Sequence, residues 1–286
     1  LSLNKMNHQT KKVESTTMNA INLQAENQEL RMELEAIQQA ADKDNLRQEY
    51  EQHLVKQILE HASHRSDTDL PNVSCEHRPF GYFDGDLFLT ARRPEGGMYA
   101  LMGDFTGHGL AAAIGSMPVS EIFFTMAKKS LSVGEMVSEM NNTLNRLLPD
   151  SMFFAACLLE MDGKGDRVNL WTGGLQDIFL YEPAKKSSRR LSSTHAPLGV
   201  EDQHSFDASY SRLYCRRGDS FLIYTDGLVE ARSPEGDSFG SDRLQSIFDR
   251  QPSDALGTVL GTFDAFICQE AQNDDITVAH ITCQAV

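Results

Sequence analysis

From about Ser15 to Ser63 the chain has neither proline nor glycine, and AINLQAENQELRMELEAIQQAADKDNLRQEYEQHLVKQILEHA is dominated by Glu, Gln, Leu and Ala. These residues favour helix, and their uninterrupted run predicts one long helix. Leu23, Leu30 and Ile37 recur at heptad spacing, Leu34 and Ala41 fill the alternate seam positions, and Asn27 and Asp44 interrupt the seam. The spacing slips around residues 41–46 before Leu46, Tyr50, Leu54 and Ile58, which is the pattern of a short coiled coil with a stutter. The competing reading is a single amphipathic helix packed on its own domain. HRSDTDLPNVS, residues 64–74, is polar, contains proline and reads as a linker. Two units are therefore expected: a helical segment over 1–65 and a globular domain over 75–286.

Past the linker the pattern shortens. FGYFDGDLFLTAR, GGMYALMGDF, SMFFAACLLEM, DRVNLWTGG, QDIFLYEP, SFDASYSRLYC, DSFLIYTDG and DDITVAHITC are short apolar or alternating runs bounded by Gly, Asp or Pro, and read as strands. MDGKGDR has hairpin length, and KKSSRR at 185–190 reads as a polar turn. Helical patterns interrupt the strands at roughly 108–128 and 133–148, and again at 241–249 and 253–270. Strands, two helices, strands, two helices and a last strand do not fit a doubly wound βαβ fold, where a helix follows every strand. The order fits an α+β sandwich of two sheets with helices packed outside, preceded by the long helix.

Composition narrows the function. A net charge of −15 argues against nucleic acid, whose phosphates call for a concentrated basic surface. The five cysteines are odd in number and lack CxxC spacing, which suggests neither a disulfide framework nor structural zinc and fits a reducing cytoplasm. No apolar run is expected to reach bilayer-spanning length, and the polar N-terminus lacks the features of a signal peptide. A first residue of Leu rather than Met suggests a domain upstream.

The chemistry lies in aspartates at strand ends. Asp86 stands in DGDLF, Asp104 in MGDFTGHG, Asp226 in LIYTDGLVE, and Asp274 with Asp275 in NDDITV. An aspartate beside glycine is, taken alone, a common turn residue. Four such points at strand ends, which a sandwich can bring together, suit a hard divalent cation, which takes several oxygen ligands from different segments. Adjacent glycines let a main-chain carbonyl approach. No HExxH, Walker A, GxSxG or dinucleotide fingerprint competes.

The set GD (85–86), GDFTGHG (103–109), GDSFLIYTDGLVEARSPEGDSFG (218–240) and DDITV (274–278) resembles the metal-dependent, protein phosphatase 2C-like family, in its bacterial SpoIIE/RsbU-like branch. APLGV (196–200) and WTGG (171–174) look like minor signatures of that branch. The resemblance covers about residues 75–284. It implies a four-layer αββα sandwich of two antiparallel sheets and a centre of two Mn²⁺ or Mg²⁺ ions. Residue by residue it implies Asp86 and Asp104 as metal carboxylates, Asp104 as the bridge, the main-chain carbonyl of Phe105 as a ligand, and Asp226 and Asp274 as third and fourth carboxylates. Asp275 would support the shell. The implied reaction is hydrolysis of phosphoserine by a water that two cations activate. The implied substrate is a phosphorylated anti-sigma-factor antagonist of STAS type. The implied partners are an upstream receiver or sensor domain and a second copy of the chain, joined through the helix; membrane insertion is not expected.

The first motif departs from the branch, which opens glycine-glycine-aspartate where this chain has FDGDLFL. That departure motivates an alternative, a weakly catalytic pseudophosphatase that signals by binding a partner. Arg92 and Arg93 read as a solvated hairpin pair rather than a phosphate site. His108 reads as shaping its loop more readily than as a general acid.

Overall fold

The computed structural model describes residues 2–63, 66–67, 69–107, 109–250, 254–268 and 272–286, with side chains of the first helix described at 28, 30–35 and 37–60. The chain divides into two compact units, Leu1–Gln57 and Ile58–Val286. The helix α1 (Ser2–Ser63) is continuous and starts well before Ser15, where the sequence reading began it. Its seam residues Leu30, Leu34, Ile37, Leu46 and Tyr50 are each more than half exposed.

Among the described residues, the second unit holds ten strands in two antiparallel sheets. One sheet has the order β1 (Val73–Arg78), β10 (Ile276–Thr282), β9 (Ser220–Tyr224), β6 (Ile178–Glu182), β7 (Ser187–Leu191). The other runs β2 (Asp86–Arg92), β3 (Gly97–Phe105), β4 (Phe154–Asp162), β5 (Arg167–Gly173), β8 (Ser211–Tyr214). The helices are α2 (Leu110–Ala127), α3 (Val133–Leu147), the short α4 (Asp226–Glu230), α5 (Ser241–Phe248) and α6 (Ala255–Ile267).

Three apolar cores define four layers. Leu87, Leu101 and Leu158 of the β2–β8 sheet pack against Phe123 of α2 and Met140 of α3. Met98, Ala100, Met102 and Leu159 from the same sheet meet Phe221, Ile223, Ala279 and Ile281 of the other sheet. Leu222, Tyr224 and Val278 on the outer face of the β1–β7 sheet pack against Phe248 of α5 and Phe263 of α6. A strand covered on both faces reads as a continuous apolar run, which is why MYALM in β3 does not alternate. This is the αββα sandwich expected from the order of elements.

Two strands were not legible as strands. Both β1 and β7 are polar and lie at the sheet edge, where only one neighbour supplies hydrogen bonds. Of the KKSSRR turn, only Lys185 and Lys186 are turn, and the rest belongs to β7. Within the expected linker, the described Asp67 is held in place: its amide donates to the Thr90 carbonyl at 3.0 Å, and its carboxylate accepts from the Arg92 amide at 2.6 Å. Those bonds cover the free edge of β2, while Leu70 and Asn72 are buried. The expectation about apolar length needs correction too. By length and composition α2 could cross a bilayer, yet Val119, Phe123 and Phe124 pack it into the core as a helix of the sandwich.

Glycines give a test of how tightly the layers meet. A Cβ on Gly103 of β3 would lie 2.4 Å from the Phe154 ring and 2.5 Å from the Ala155 carbonyl, whereas one on Gly261 of α6 would meet nothing within 4 Å. Gly103→Ala is expected to lower unfolding free energy by about 1–3 kcal/mol through overpacking. Gly261→Ala is expected to raise it by about 0.5–1 kcal/mol through helix propensity. Urea denaturation of both variants reads the opposite signs.

Candidate active site

The space between the sheets is apolar until its end. On β3 the residues facing it are Met98, Ala100 and Met102, so the period of two puts Asp104 next. On β2, Phe88 packs against the same core and Asp86 is the next residue on that face. Asp86 and Asp104 are direct cross-strand partners. From the opposite sheet, Phe221 and Ile223 of β9 are followed by Thr225, and Ala279 and Ile281 of β10 are preceded by Thr277. Two carboxylates from one sheet thus meet two hydroxyls from the other.

The hydroxyls bond one of the carboxylates. Thr225 Oγ1 donates to Asp86 Oδ2 at 2.8 Å and Thr277 Oγ1 donates to the same oxygen at 2.6 Å. The Thr277 amide donates to Thr225 Oγ1 at 2.9 Å, and Nδ1 of His77 lies 2.8 Å from Thr277 Oγ1. The other ring nitrogen of His77 lies 3.1 Å from the Asp84 carboxylate.

Asp226 opens α4 directly after Thr225. A Cβ on Gly227 would stand 2.1 Å from the Asp275 carbonyl, so only glycine lets this helix start so close to the 274–275 segment. Asp274 is exposed and Asp275 is buried. The two oxygens of Asp275 accept from the amides of Phe80 at 2.7 Å and Gly85 at 2.8 Å, pinning the loop that leads to Asp86.

Phe105 is positioned by both its ring and its backbone. The ring stacks on Phe154 at 4.2 Å, and Gly115 of α2 rests so closely on it that a Cβ there would lie 2.6 Å away. The Phe105 amide donates to the Gly85 carbonyl at 3.1 Å. Its own carbonyl lies 3.0 Å from where a Gly85 Cβ would be, as does Asp104 Oδ1, so Gly85 is what lets the two loops touch. Gly107 and Gly109 both have positive φ, as the turn from β3 into α2 requires. His108 lies outside the described residues.

The electrostatics follow from gathering acids at the end of an apolar space. Burial, then the charges of Asp86, Asp226, Asp274 and Asp275, push the Asp104 carboxyl up to about 8. Burial pushes Asp86 up to about 7 against the opposing bonds from Thr277 and Thr225. Asp226 is raised by burial, then by Asp274 and Glu230. For His77, burial disfavours the charged ring, but the bond to Asp84 and the charges of Asp84, Asp86 and Asp275 together raise its pKa.

The structure therefore brings Asp86, Asp104, Asp226 and Asp274 to one end of the sandwich. Among the described residues, no three His, Cys, Asp or Glu side chains are drawn close enough to hold a metal ion; the acids face one another at electrostatic range. The donor chemistry nevertheless fits a hard divalent cation, because all donors are oxygens and like charges directly opposite on neighbouring strands repel unless something positive offsets them. Beside them an open cleft of about 570 Å³ is lined by Asp274, Asn273, Gly227, Glu230, Arg232 and Ser238.

Arg93 is not solvated as expected. It pairs with Glu160 at 3.2 Å, both side chains being largely buried, and its guanidinium lies over Tyr99. Arg92 pairs with Asp69 at 3.2 Å. Of the cysteines, all free, Cys157, Cys215 and Cys283 are buried, but Cys75 and Cys268 are not. Thr225, Thr277 and His77 escaped the sequence reading. Their only signal was that Thr225 directly precedes Asp226 and that Thr277 lies two residues beyond Asp275.

Two layers of helix around two antiparallel sheets, with aspartates at the end of the inter-sheet space, define a PP2C-type phosphatase fold. The family model for stage II sporulation protein E (SpoIIE) matches residues 94–284, and the chain belongs to that family of PP2C-type phosphatases. The match starts after Asp86. The phosphoserine phosphatase RsbP of Bacillus subtilis (strain 168) is 23% identical over 166 residues, 57% of this chain and 40% of that protein, so this chain aligns with less than half of that relative. Among solved structures, the SiaA-PP2C domain of Pseudomonas aeruginosa superposes with a TM-score of 0.68 at 18% identity, over 81% of this chain and 95% of that one. The catalytic domain of the serine/threonine phosphatase PstP, solved with 2 manganese ions, gives 0.54 at 13% identity, over 73% and 96%.

A carboxyl whose pKa is raised on folding binds more protons folded than unfolded, so its contribution to stability is full below the unfolded value of 3.8 and is lost as pH rises through about 7–8. In the presence of a chelator, Asp104→Asn is expected to gain melting temperature relative to wild type as pH rises from about 4 to about 8. Thermal melts across that range measure the gap, and a gap that stays constant counts against the mutual repulsion described.

Proposed function

We propose that this chain is the catalytic part of a Mn²⁺- or Mg²⁺-dependent serine/threonine protein phosphatase that hydrolyses phosphoserine on a signalling protein. Residues 75–286 form the phosphatase domain and residues 1–65 the signalling helix. The observation that carries the reading is the direct pairing of Asp86 with Asp104 at the end of the inter-sheet space, faced by Asp226 and Asp274. The manganese-bound PstP domain, similar in fold, supports the choice of cation.

Asp86, Asp104, Asp226, Asp274 and the Phe105 carbonyl would hold the two ions. When bound, the ions supply Lewis acidity toward water and positive charge that offsets the phosphoryl oxygens. The chain's own part is orientation. Thr225 and Thr277 hold Asp86, Asp275 fixes the loop carrying Gly85, and the stacked Phe105 fixes the end of β3. No Ser or Cys nucleophile is needed, and the cleft beside Asp274 gives the phosphoserine segment an approach.

The substrate we infer is a phosphorylated anti-sigma-factor antagonist of STAS type, supported by membership of the SpoIIE family and by the phosphoserine phosphatase activity for which RsbP is named. The exposed seam of α1 supports a coiled-coil homodimer that links the domain to an upstream receiver or sensor. The free cysteines support a cytoplasmic setting.

With Mn²⁺, the full chain is expected to release phosphate from phosphoserine proteins, and Asp104→Asn is expected to lower kcat by at least about 100-fold. Failure of the wild type on every phosphoserine protein offered, with Mn²⁺ bound, would favour the partner-binding alternative. Replacing Leu30, Leu34 and Ile37 together by Asp is expected to convert a dimer into a monomer in sedimentation. An unchanged sedimentation coefficient would remove the helix from the dimer.

A further inference from the structure

We propose that Thr225 and Thr277 form a two-hydroxyl clamp that leaves only Oδ1 of Asp86 facing the cations, and that His77, held by Asp84, braces the Thr277 hydroxyl. The inference rests on the cation-site reading above and assigns positioning roles, since none of these four residues touches the reacting atoms.

Each threonine directs its single hydroxyl hydrogen at Asp86 Oδ2, at 2.8 and 2.6 Å. Nδ1 of His77 lies 2.8 Å from Thr277 Oγ1 and Nε2 lies 3.1 Å from the Asp84 carboxylate, so the ring braces that hydroxyl from behind. Thr225 is oriented separately, because its oxygen accepts the Thr277 amide at 2.9 Å and its hydrogen is left for Asp86.

Burial makes the arrangement rigid. Thr225 and Thr277 are fully buried and Asp86 nearly so, leaving no water to replace a lost donor. With Oδ2 holding two hydrogen bonds, a cation meets Asp86 through one oxygen. The clamp also crosses between sheets: Thr277 lies on β10 and Thr225 directly follows β9 of the β1–β7 sheet, while Asp86 opens β2 of the other. It therefore fixes the gap across which Asp226 and Asp274 face Asp104.

The test uses the full chain and Mn²⁺ alone. Thr277→Val and Thr225→Val keep shape and lose the hydroxyl, and each is expected to weaken Mn²⁺ binding about 10- to 100-fold by calorimetry, whereas serine at either position restores it. His77→Ala, which removes the brace and leaves both hydroxyls, is expected to weaken Mn²⁺ binding about 3- to 10-fold, less than either valine variant. Valine variants that bind Mn²⁺ like wild type overturn the clamp. A His77→Ala variant that binds like wild type overturns the brace. If the wild type binds no Mn²⁺, the cation reading falls, and the role of the clamp toward a cation falls with it.

Discussion

Asp86 and Asp104 stand opposite one another on neighbouring strands, at the end of a space otherwise filled by Met102, Phe88, Ile223 and Ala279. Acids there lose hydration and gain repulsion together, which is why burial comes first among the causes raising both carboxyls. Such a pair persists only if the surrounding fold holds it. The three cores supply the rigidity, and the hydroxyls of Thr225 and Thr277 reach Asp86 as donors from the opposite side of the inter-sheet space. A cation is the natural counterpart of that arrangement, because it offsets the charge that the fold has concentrated.

The same constraint explains where glycine occurs. Gly85 touches the loop of Asp104 and Phe105, Gly227 touches the carbonyl of Asp275, and Gly115 sits on the ring of Phe105. Each marks a place where two segments carrying candidate ligands, or the ring beneath one, approach more closely than a Cβ permits. The Gly-Asp pairs in the sequence thus mark close approach as well as turning. Turn and candidate ligand site coincide at Asp104, because the reversal from β3 into α2 delivers the carboxylate to the end of the inter-sheet space.

Much of this was legible from residue order. Alternation and apolar runs located the strands of the core, and the placing of helix pairs between strand groups gave the layers. What escaped had physical reasons. The strands β1 and β7 are polar edges whose partners are distant in sequence, so VSCEHR and SSRRL carry no core signal. Arg93 looked solvated because nothing local announces Glu160, which reaches it through the pairing of β3 with β4. Thr225 and Thr277 were invisible for the same reason: a threonine in a strand is ordinary until the other sheet places Asp86 against it.

The acidic pair Asp274–Asp275 shows how one dipeptide serves two ends. Successive residues entering a strand point to opposite sides. Asp275, on the buried side, spends both oxygens on the amides of Phe80 and Gly85 and so holds the segment before Asp86. Asp274, on the open side, lines the cleft and adds its charge to that felt by Asp104 and Asp226. Exchanging their roles would require the strand to shift by one residue, which would also carry Ala279 and Ile281 out of the inter-sheet core. The register of β10 therefore fixes the core, the loop and the open carboxylate at once, and it is Asp274 rather than Asp275 that it leaves on the open side for the ligand role proposed.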